Sequence, residues 1–347
     1  MTDPVPHVVP ENPLYRAMIA GGVDYRPWEG QGLDDDQCFV CGLLLTPDTK
    51  TREDVFPRWL QRDLTTRKRH PKIVLPNATT IGLGKILIPA CSDCNGSHLS
   101  KIESEVFAAF KLGPTYVDAL PERTVRTWLA KIAYGLRRND LRLKQDQRDP
   151  NSATIAVKRD VEQLKRLHLL LQEVRDVVYV PDGHSTFFVF ESQEVNCGIC
   201  DFDTAFPIGW PHPAMLRLGT TTILGAIDDQ GTLEVLRSHP AFVAAQSLRL
   251  HPMQVRALLA ILIHTAYTLR PDVRGLRFGV SEGRLWVHRQ TPPADLFDTA
   301  RVKASADAIL RNLIDMPEDE LSEFGGAVGM LVGRDGKPRE MLATHNV

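Results

Sequence analysis

The chain has 347 residues, of which 43% are hydrophobic and 24% are charged. This composition excludes wholesale disorder, and the length is enough for two domains. The net charge of −2 excludes a chain that is basic throughout, so a nucleic-acid surface would have to come from local charge. No basic start followed by an apolar run opens the sequence, which predicts a cytoplasmic protein with no signal peptide and no membrane contact.

Four cysteines form two Cys-x-x-Cys pairs, Cys38 with Cys41 and Cys91 with Cys94. Without secretion, metal binding is favoured over disulfide formation. Zn²⁺ takes four thiolates in a closed tetrahedral site that holds a fold together. The two pairs enclose residues 42–90, an unusually long stretch for a simple zinc ribbon, so we expect the zinc to present this enclosed segment.

A third pair, Cys197 and Cys200, has no partner pair. Two ligands do not close a zinc site, although His184 or His212 could be recruited to complete one. The alternative is that both cysteines are small apolar core residues.

The chain before residue 31 is rich in proline and predicts an N-terminal arm over residues 1–30. Short strands are predicted at Val55–Phe56 and at Lys85–Pro89. A helix is predicted from Asn95, because apolar residues recur at positions 99, 102, 106 and 110. Two strands and a helix therefore surround the cysteine pairs.

The segment from residue 38 to residue 103 carries its motifs in a specific order. CFVC comes first, EDVFP follows at residues 53–57, and CSDCN at residues 91–95 runs into the helix. This order and spacing resemble the zinc-bound HNH nucleases, which have the ββα-metal fold. The resemblance implies a structural zinc at the four cysteines and a DNA endonuclease that uses Mg²⁺ or Mn²⁺.

The resemblance also implies site residues. Glu53 and Asn95 would hold the divalent ion, and the catalytic set would be Glu53, Asp54, Asn95 and His98. Asp54 stands where the family has its general-base histidine. Each residue also has a simpler interpretation: Glu53 as a salt-bridge partner of a neighbouring arginine, Asn95 as a helix cap and His98 as a surface histidine.

Residues 50–72 hold eight basic and three acidic residues. Such a segment can contact phosphates, and the resemblance makes double-stranded DNA the expected partner. The alternative is a solvated loop. The proposed contacts are Arg58, Arg62, Arg67, Lys68 and Arg69.

The pattern predicts an α+β protein: a zinc-stapled, HNH-like ββα-metal domain, then helices, then a mixed α+β domain. We place the nuclease-like domain at residues 31–112, a basic helical connector at 113–150 and the C-terminal domain at 151–347. The connector also carries excess positive charge, which predicts either a second backbone-contacting surface or an ordinary exposed helix face.

The C-terminal half predicts strands at residues 177–180, 186–191, 216–224 and 233–237, a hairpin around Glu282–Gly283, and a helix at residues 298–314. Residues 252–269 are strongly apolar but contain Arg256 and His264, so we predict a buried core helix instead of a membrane span. This half carries no recognisable chemistry, and it could form a homodimer or bind another protein partner.

Two functions follow as expectations. The first is a metal-dependent HNH-type endonuclease that hydrolyses DNA phosphodiester bonds, in the setting of phage defence, restriction or a mobile element. The second is a zinc-stapled nucleic-acid-binding module with impaired catalysis and a C-terminal half that senses a partner or a ligand. The replacement of the family's histidine by Asp54 favours the second.

Overall fold

The computed structural model describes residues 36–66, 72–156, 159–194, 202–270, 275–288, 295–298 and 304–341. Helices and strands are mixed along the chain, which confirms the α+β class. Several predictions lie outside the described residues, namely the arm at residues 1–30 and the side chains of Arg67, Lys68, Arg69, Cys197 and Cys200.

The strands are β1 (Lys50–Asp54), β2 (Lys72–Val74), β3 (Thr80–Gly82), β4 (Leu87–Cys91), β5 (Val178–Tyr179), β6 (Thr186–Glu191), β7 (Phe202–Ala205), β8 (Pro213–Leu218), β9 (Thr221–Ala226), β10 (Arg277–Ser281) and β11 (Arg284–His288). The α-helices are α1 (Arg58–Thr66), α2 (Ser100–Leu112), α3 (Pro114–Asp118), α4 (Glu122–Asp140), α5 (Arg159–Leu171), α6 (Pro240–Ala245), α7 (Pro252–Thr268), α8 (Ala306–Ile314), α9 (Glu318–Phe324) and α10 (Gly326–Gly329). A π-helix, Cys94–Leu99, leads into α2.

The chain forms two compact units. The first contains the described parts of residues 1–108, 121–182 and 276–289, and the second those of residues 109–120, 183–275 and 290–347. Helices α4 and α5 thus pack with the cysteine-bearing segment. The predicted domain boundaries concern independent folding and stay predictions.

A two-stranded antiparallel sheet of β1 and β4 frames the cysteine cluster in the first unit. Lys50 lies opposite Cys91, and Asp54 lies opposite Leu87. The strands predicted at Val55–Phe56 and Lys85–Pro89 are therefore displaced by a few residues. The strand β1 is polar along its whole length, and it has no apolar alternation by which the sequence could have revealed it.

Helix α4 is buried along most of its length. Arg126, Lys131 and Arg138 are each at most 1% exposed. The interpretation of the connector as a basic surface is therefore wrong for these three residues. Burial of such cations requires partners, and Arg126 has them in Glu173 and Glu122.

The first unit also contains a three-stranded sheet in the order β10-β11-β5. The predicted hairpin around Glu282–Gly283 is confirmed, since β10 and β11 pair antiparallel on either side of it. Both turn residues have positive φ, 54° at Glu282 and 70° at Gly283. Glycine meets that requirement without steric cost.

The second unit is built on an antiparallel sheet in the order β6-β9-β8-β7. The segment predicted as one strand, residues 216–224, is instead a hairpin that turns at Gly219, where φ is 56°. The strand predicted at residues 233–237 is wrong, because a 3₁₀-helix spans Thr232–Ser238. Its buried residues Leu233 and Leu236 are three apart, which matches three residues per turn.

Helix α7 lies in the core of the second unit, as the apolar segment predicted. His251 precedes it and forms a capping box with Gln254, which satisfies orphan donors at the first turn. The helix predicted at residues 298–314 is shorter, because α8 begins at Ala306 after a Ser305 cap. Among the described residues, no helix is long and apolar enough to cross a membrane.

Candidate metal centre

Cys38, Cys41, Cys91 and Cys94 come together as predicted. Their four sulfur atoms all lie within 4.8 Å of one another, and three of the cysteines are buried. A tetrahedral site with Zn–S bonds of about 2.3 Å has neighbouring sulfurs about 3.8 Å apart. The Sγ atoms of Cys41 and Cys91 are 3.8 Å apart.

The first cysteine pair lies on a tight turn that is anchored to the β1–β4 sheet. Gly42 N–H donates to the carbonyl of Cys38 at 2.9 Å, and Gly42 has a φ of 74°. This is a left-handed conformation that favours glycine. Phe39 N–H donates to the carbonyl of Pro89 in β4 at 2.9 Å, so the turn is fixed to the strand that ends in Cys91.

The second cysteine pair joins a strand to a helix. Cys91 is the last residue of β4, and Cys94 is the first residue of the π-helix. The backbone N–H of Cys94 points at the Sγ of Cys91, 3.4 Å away. Backbone N–H groups at a helix start favour a thiolate there.

The thiols favour a cation electrostatically. The pKa of Cys38 is lowered, first by its hydrogen bonds from Cys41 and then by those from Cys94. The pKa of Cys41 is raised to about 12, first by its hydrogen bond with Cys38, and that of Cys94 is raised for the same reason. A cation among the four sulfurs would favour their deprotonated forms. The donor set and its spacing fit Zn²⁺.

Two side chains from the α5 region support the first cysteine turn. His168 Nε2 lies 2.9 Å from the carbonyl of Val40, and Gln172 Nε2 donates to the same carbonyl at 2.7 Å. Val40 stands between Cys38 and Cys41 in the chain. Sequence reasoning missed both contacts, because they join residues more than 120 positions apart.

Glu53, a predicted ligand of the divalent ion, is only 6% exposed and forms an ion pair with Lys131. The ammonium of Lys131 also lies 2.5 Å from a carboxylate oxygen of Glu103 and donates to the carbonyl of Asp54 at 2.7 Å. Three acceptors therefore engage its three N–H groups. Lys131 joins β1, α2 and α4, and it fixes the backbone at Asp54.

These charged groups shift one another's pKa values. Burial raises the pKa of Glu53 to about 7, although Lys131 opposes the shift. Burial favours the neutral form of Lys131, but attraction to Glu53 and Glu103 outweighs it and raises the pKa of Lys131. Sequence reasoning counted Lys131 only as part of a basic helix. A lysine next to the apolar stripe of an amphipathic helix was the available signal.

Asp54 lies on the other side of β1. Its carboxylate accepts hydrogen bonds from Arg58 Nε at 2.8 Å and from Gln61 Nε2 at 3.1 Å. Arg58 is 72% exposed while it makes this contact. Arg58 and Arg62, predicted to bind nucleic acid, are both exposed.

Asn95 connects the helix start to β1. Its Nδ2 donates to Thr51 Oγ1 at 3.0 Å and approaches the carbonyl of Arg52 at 3.4 Å. His98 lies one turn further along, with Nε2 3.5 Å from a carboxylate oxygen of Asp93. The amide of Asn95 is therefore directed at β1 instead of the end of its own helix.

The possible second metal site stays untested, because Cys197 and Cys200 lie outside the described residues. His184 is fully buried and its Nε2 lies 2.9 Å from Asp228 Oδ1. Across the part of the chain that the structure describes, the four N-terminal cysteines are the one group of three or more metal-binding side chains placed to share an ion.

Comparison of the chain with protein-family models, with curated proteins and with solved structures gives no match.

Proposed function

We propose that the chain binds double-stranded DNA through an HNH-like unit and hydrolyses its phosphodiester bonds with a divalent cation. The observation that carries the proposal is the four-cysteine centre, which brings together the Cys38–Cys41 turn, the end of β4 and the start of a helix. In this arrangement, Asn95 on the helix reaches the strand that ends in Asp54. The residue motif and this arrangement of the β1–β4 sheet and the helix together support an HNH-type site.

The predicted Mg²⁺ or Mn²⁺ ligands fit only in part. Oxygen donors suit these ions, and Asn95 offers its amide oxygen. The carboxylate of Glu53, however, is buried and engaged by Lys131. Glu53 therefore acts as a support for Lys131 and Asp54, and we assign it no step of the reaction.

Asp54 is the proposed base. Its carboxylate would accept a proton from the attacking water, with Arg58 and Gln61 fixing its orientation. A free aspartate has a pKa of about 3.9, whereas a histidine near 6.5 is better matched to neutral pH. The arrangement therefore supports slow hydrolysis.

The second candidate function is DNA binding without hydrolysis. Two observations favour it: Glu53 is engaged by Lys131, and Asp54 is engaged by Arg58. Both carboxylates have protein partners in the places where catalysis would require them to face an ion or a water.

Plasmid nicking in Mg²⁺ and in Mn²⁺ separates the two functions. The informative variant is Asp54→His, which restores a base of suitable pKa and should raise the rate by up to roughly 10²–10⁴. Asp48→His is the matched control, because Asp48 is an exposed aspartate outside β1. Asp54→Ala should remove the residual activity.

Binding without nicking by wild type and by Asp54→His would establish the second function. Rapid nicking by wild type that neither substitution at position 54 changes would show that Asp54 is not the base.

A further inference from the structure

One face of β1 is basic and open to solvent. Lys50 and Arg52 are both exposed, and they stand two residues apart on the strand. Side chains alternate across a strand, so these two lie on the same face. Asp54 is the next residue on that face, whereas Thr51 and Glu53 point to the opposite one.

Within the described ranges of the chain, no acidic side chain pairs with the two cations of this face. Neither Lys50 nor Arg52 has a side-chain ion pair or hydrogen bond among the described residues. The two acidic neighbours on β1 are engaged elsewhere, Glu53 by Lys131 and Asp54 by Arg58. As far as the described residues show, two unpaired cations therefore stand beside carboxylates that already have cationic partners.

The strand that carries them is held in place. The amide of Asn95 donates to Thr51 and approaches the carbonyl of Arg52, while Lys50 lies opposite Cys91 at the cysteine cluster. A fixed backbone with long, flexible cationic side chains suits a ligand that presents regularly spaced anions.

We propose that Lys50 and Arg52 bind the phosphate backbone of double-stranded DNA. The inference rests on the proposed function and adds the surface by which the duplex is held. Residues two apart on a strand are about 6.7 Å apart, and each DNA strand carries a charge about every 3.4 Å along the helix axis. These contacts position the duplex without reading its sequence, and they bring a phosphate to the face on which Asp54 lies.

The test is a salt titration of DNA affinity. Zinc-loaded wild type is compared with the double variant Lys50→Gln/Arg52→Gln by fluorescence anisotropy on a short labelled duplex of arbitrary sequence, without added Mg²⁺ or Mn²⁺. The matched control is Arg334→Gln/Lys337→Gln. It removes the same two charges from exposed residues of the second unit that also have no ion pair among those described.

Each lost phosphate contact lowers the slope of log affinity against log salt by about 0.9. The double variant should therefore lose about 1.8 from the slope, which makes a difference of roughly twelvefold between about 50 and 200 mM salt. The control should keep the wild-type slope. Zinc content and circular dichroism should be unchanged in both, because neither pair of side chains makes an ion pair or a hydrogen bond with another described side chain.

Two results would overturn the proposed DNA-binding surface alone. One is a double variant that keeps the wild-type slope, and the other is a control whose slope falls as much as that of the double variant. A wild type that binds no duplex at any salt, or binds only RNA, would overturn the surface together with DNA binding. If the salt slopes are as expected but no plasmid is nicked, the proposed hydrolysis would be overturned and the proposed DNA-binding surface would stand.

Discussion

A methyl group added at position 135 should disturb the contact between α4 and the β1–β4 sheet. A Cβ at Gly135 would lie 2.6 Å from Val55 Cγ2, 3.0 Å from Val55 Cγ1 and 3.2 Å from Ile88 Cδ1. Carbon atoms pack best at about 3.5–4.0 Å. Val55 is fully buried and β-branched, so its side chain cannot easily turn away. Either α4 or the β1–β4 sheet would have to move.

The change in unfolding free energy caused by Gly135→Ala follows from two opposing effects. Replacing glycine by alanine in a helix stabilises it by about 1 kcal/mol, while overpacking costs about 1–3 kcal/mol. Gly135→Ala should therefore cost between about 0 and 2 kcal/mol of unfolding free energy. Gly96→Ala is the matched control, because that helical glycine has no atom within 4 Å of a built Cβ. The control keeps the propensity gain, so the two variants should differ by about 1–3 kcal/mol.

The measurement is urea denaturation of zinc-loaded protein, with released zinc detected by a chelating dye. Zinc release would report the first unit, since the four cysteines that fit the ion lie there. The double variant Gly135→Ala/Val55→Ala gives a second readout, because the smaller side chain makes room for the new methyl. The cost of the two substitutions together should be smaller than their sum by about 1 kcal/mol.

Equal stability of Gly135→Ala and Gly96→Ala would refute the reasoning. So would strict additivity with Val55→Ala. Either result would mean that α4 does not pack tightly against Val55 and Ile88 at this position.

Three further outcomes are expected. Cys91→Ser should lose the zinc, about one per chain in wild type, and unfold the first unit; elemental analysis that finds no zinc in folded wild type would contradict this. Asp229→Ala should cost about 2–4 kcal/mol in urea unfolding without changing zinc content. It removes an acceptor of three buried hydrogen bonds, from Thr186 N and Oγ1 and from Leu233 N. Burial lowers the pKa of His168 to about 4 from an ordinary value near 6.5, so the unfolded chain takes up the proton first as pH falls. Stability should therefore drop by up to about 3 kcal/mol between pH 6.5 and pH 4. His168→Gln at saturating zinc should flatten that slope, and an unchanged slope would exclude His168 as its cause.

The sequence alone determined the features that depend on residue type and local spacing. Paired cysteines predicted the four-sulfur cluster, because each Cys-x-x-Cys supplies two ligands from one turn. The apolar period after Cys94 predicted the helix there, and the uniformly apolar segment at residues 252–269 predicted the core helix α7. Turn residues predicted the hairpin at Glu282–Gly283. Each of these signals is complete within a few turns of chain.

Only the tertiary structure decided which charges are buried and with which partners. Lys131 bonds to the carbonyl of Asp54 across 77 residues, and His168 reaches Val40 across 128. A lysine or a glutamate has the same local pattern whether it faces water or an ion pair. Its burial is tolerated only when packed elements bring an opposite charge to it, and that proximity is set by the fold of the whole unit. For this reason Glu53 looked like an open metal ligand in the sequence, whereas in the structure it is a buried support of the strand beneath Asp54.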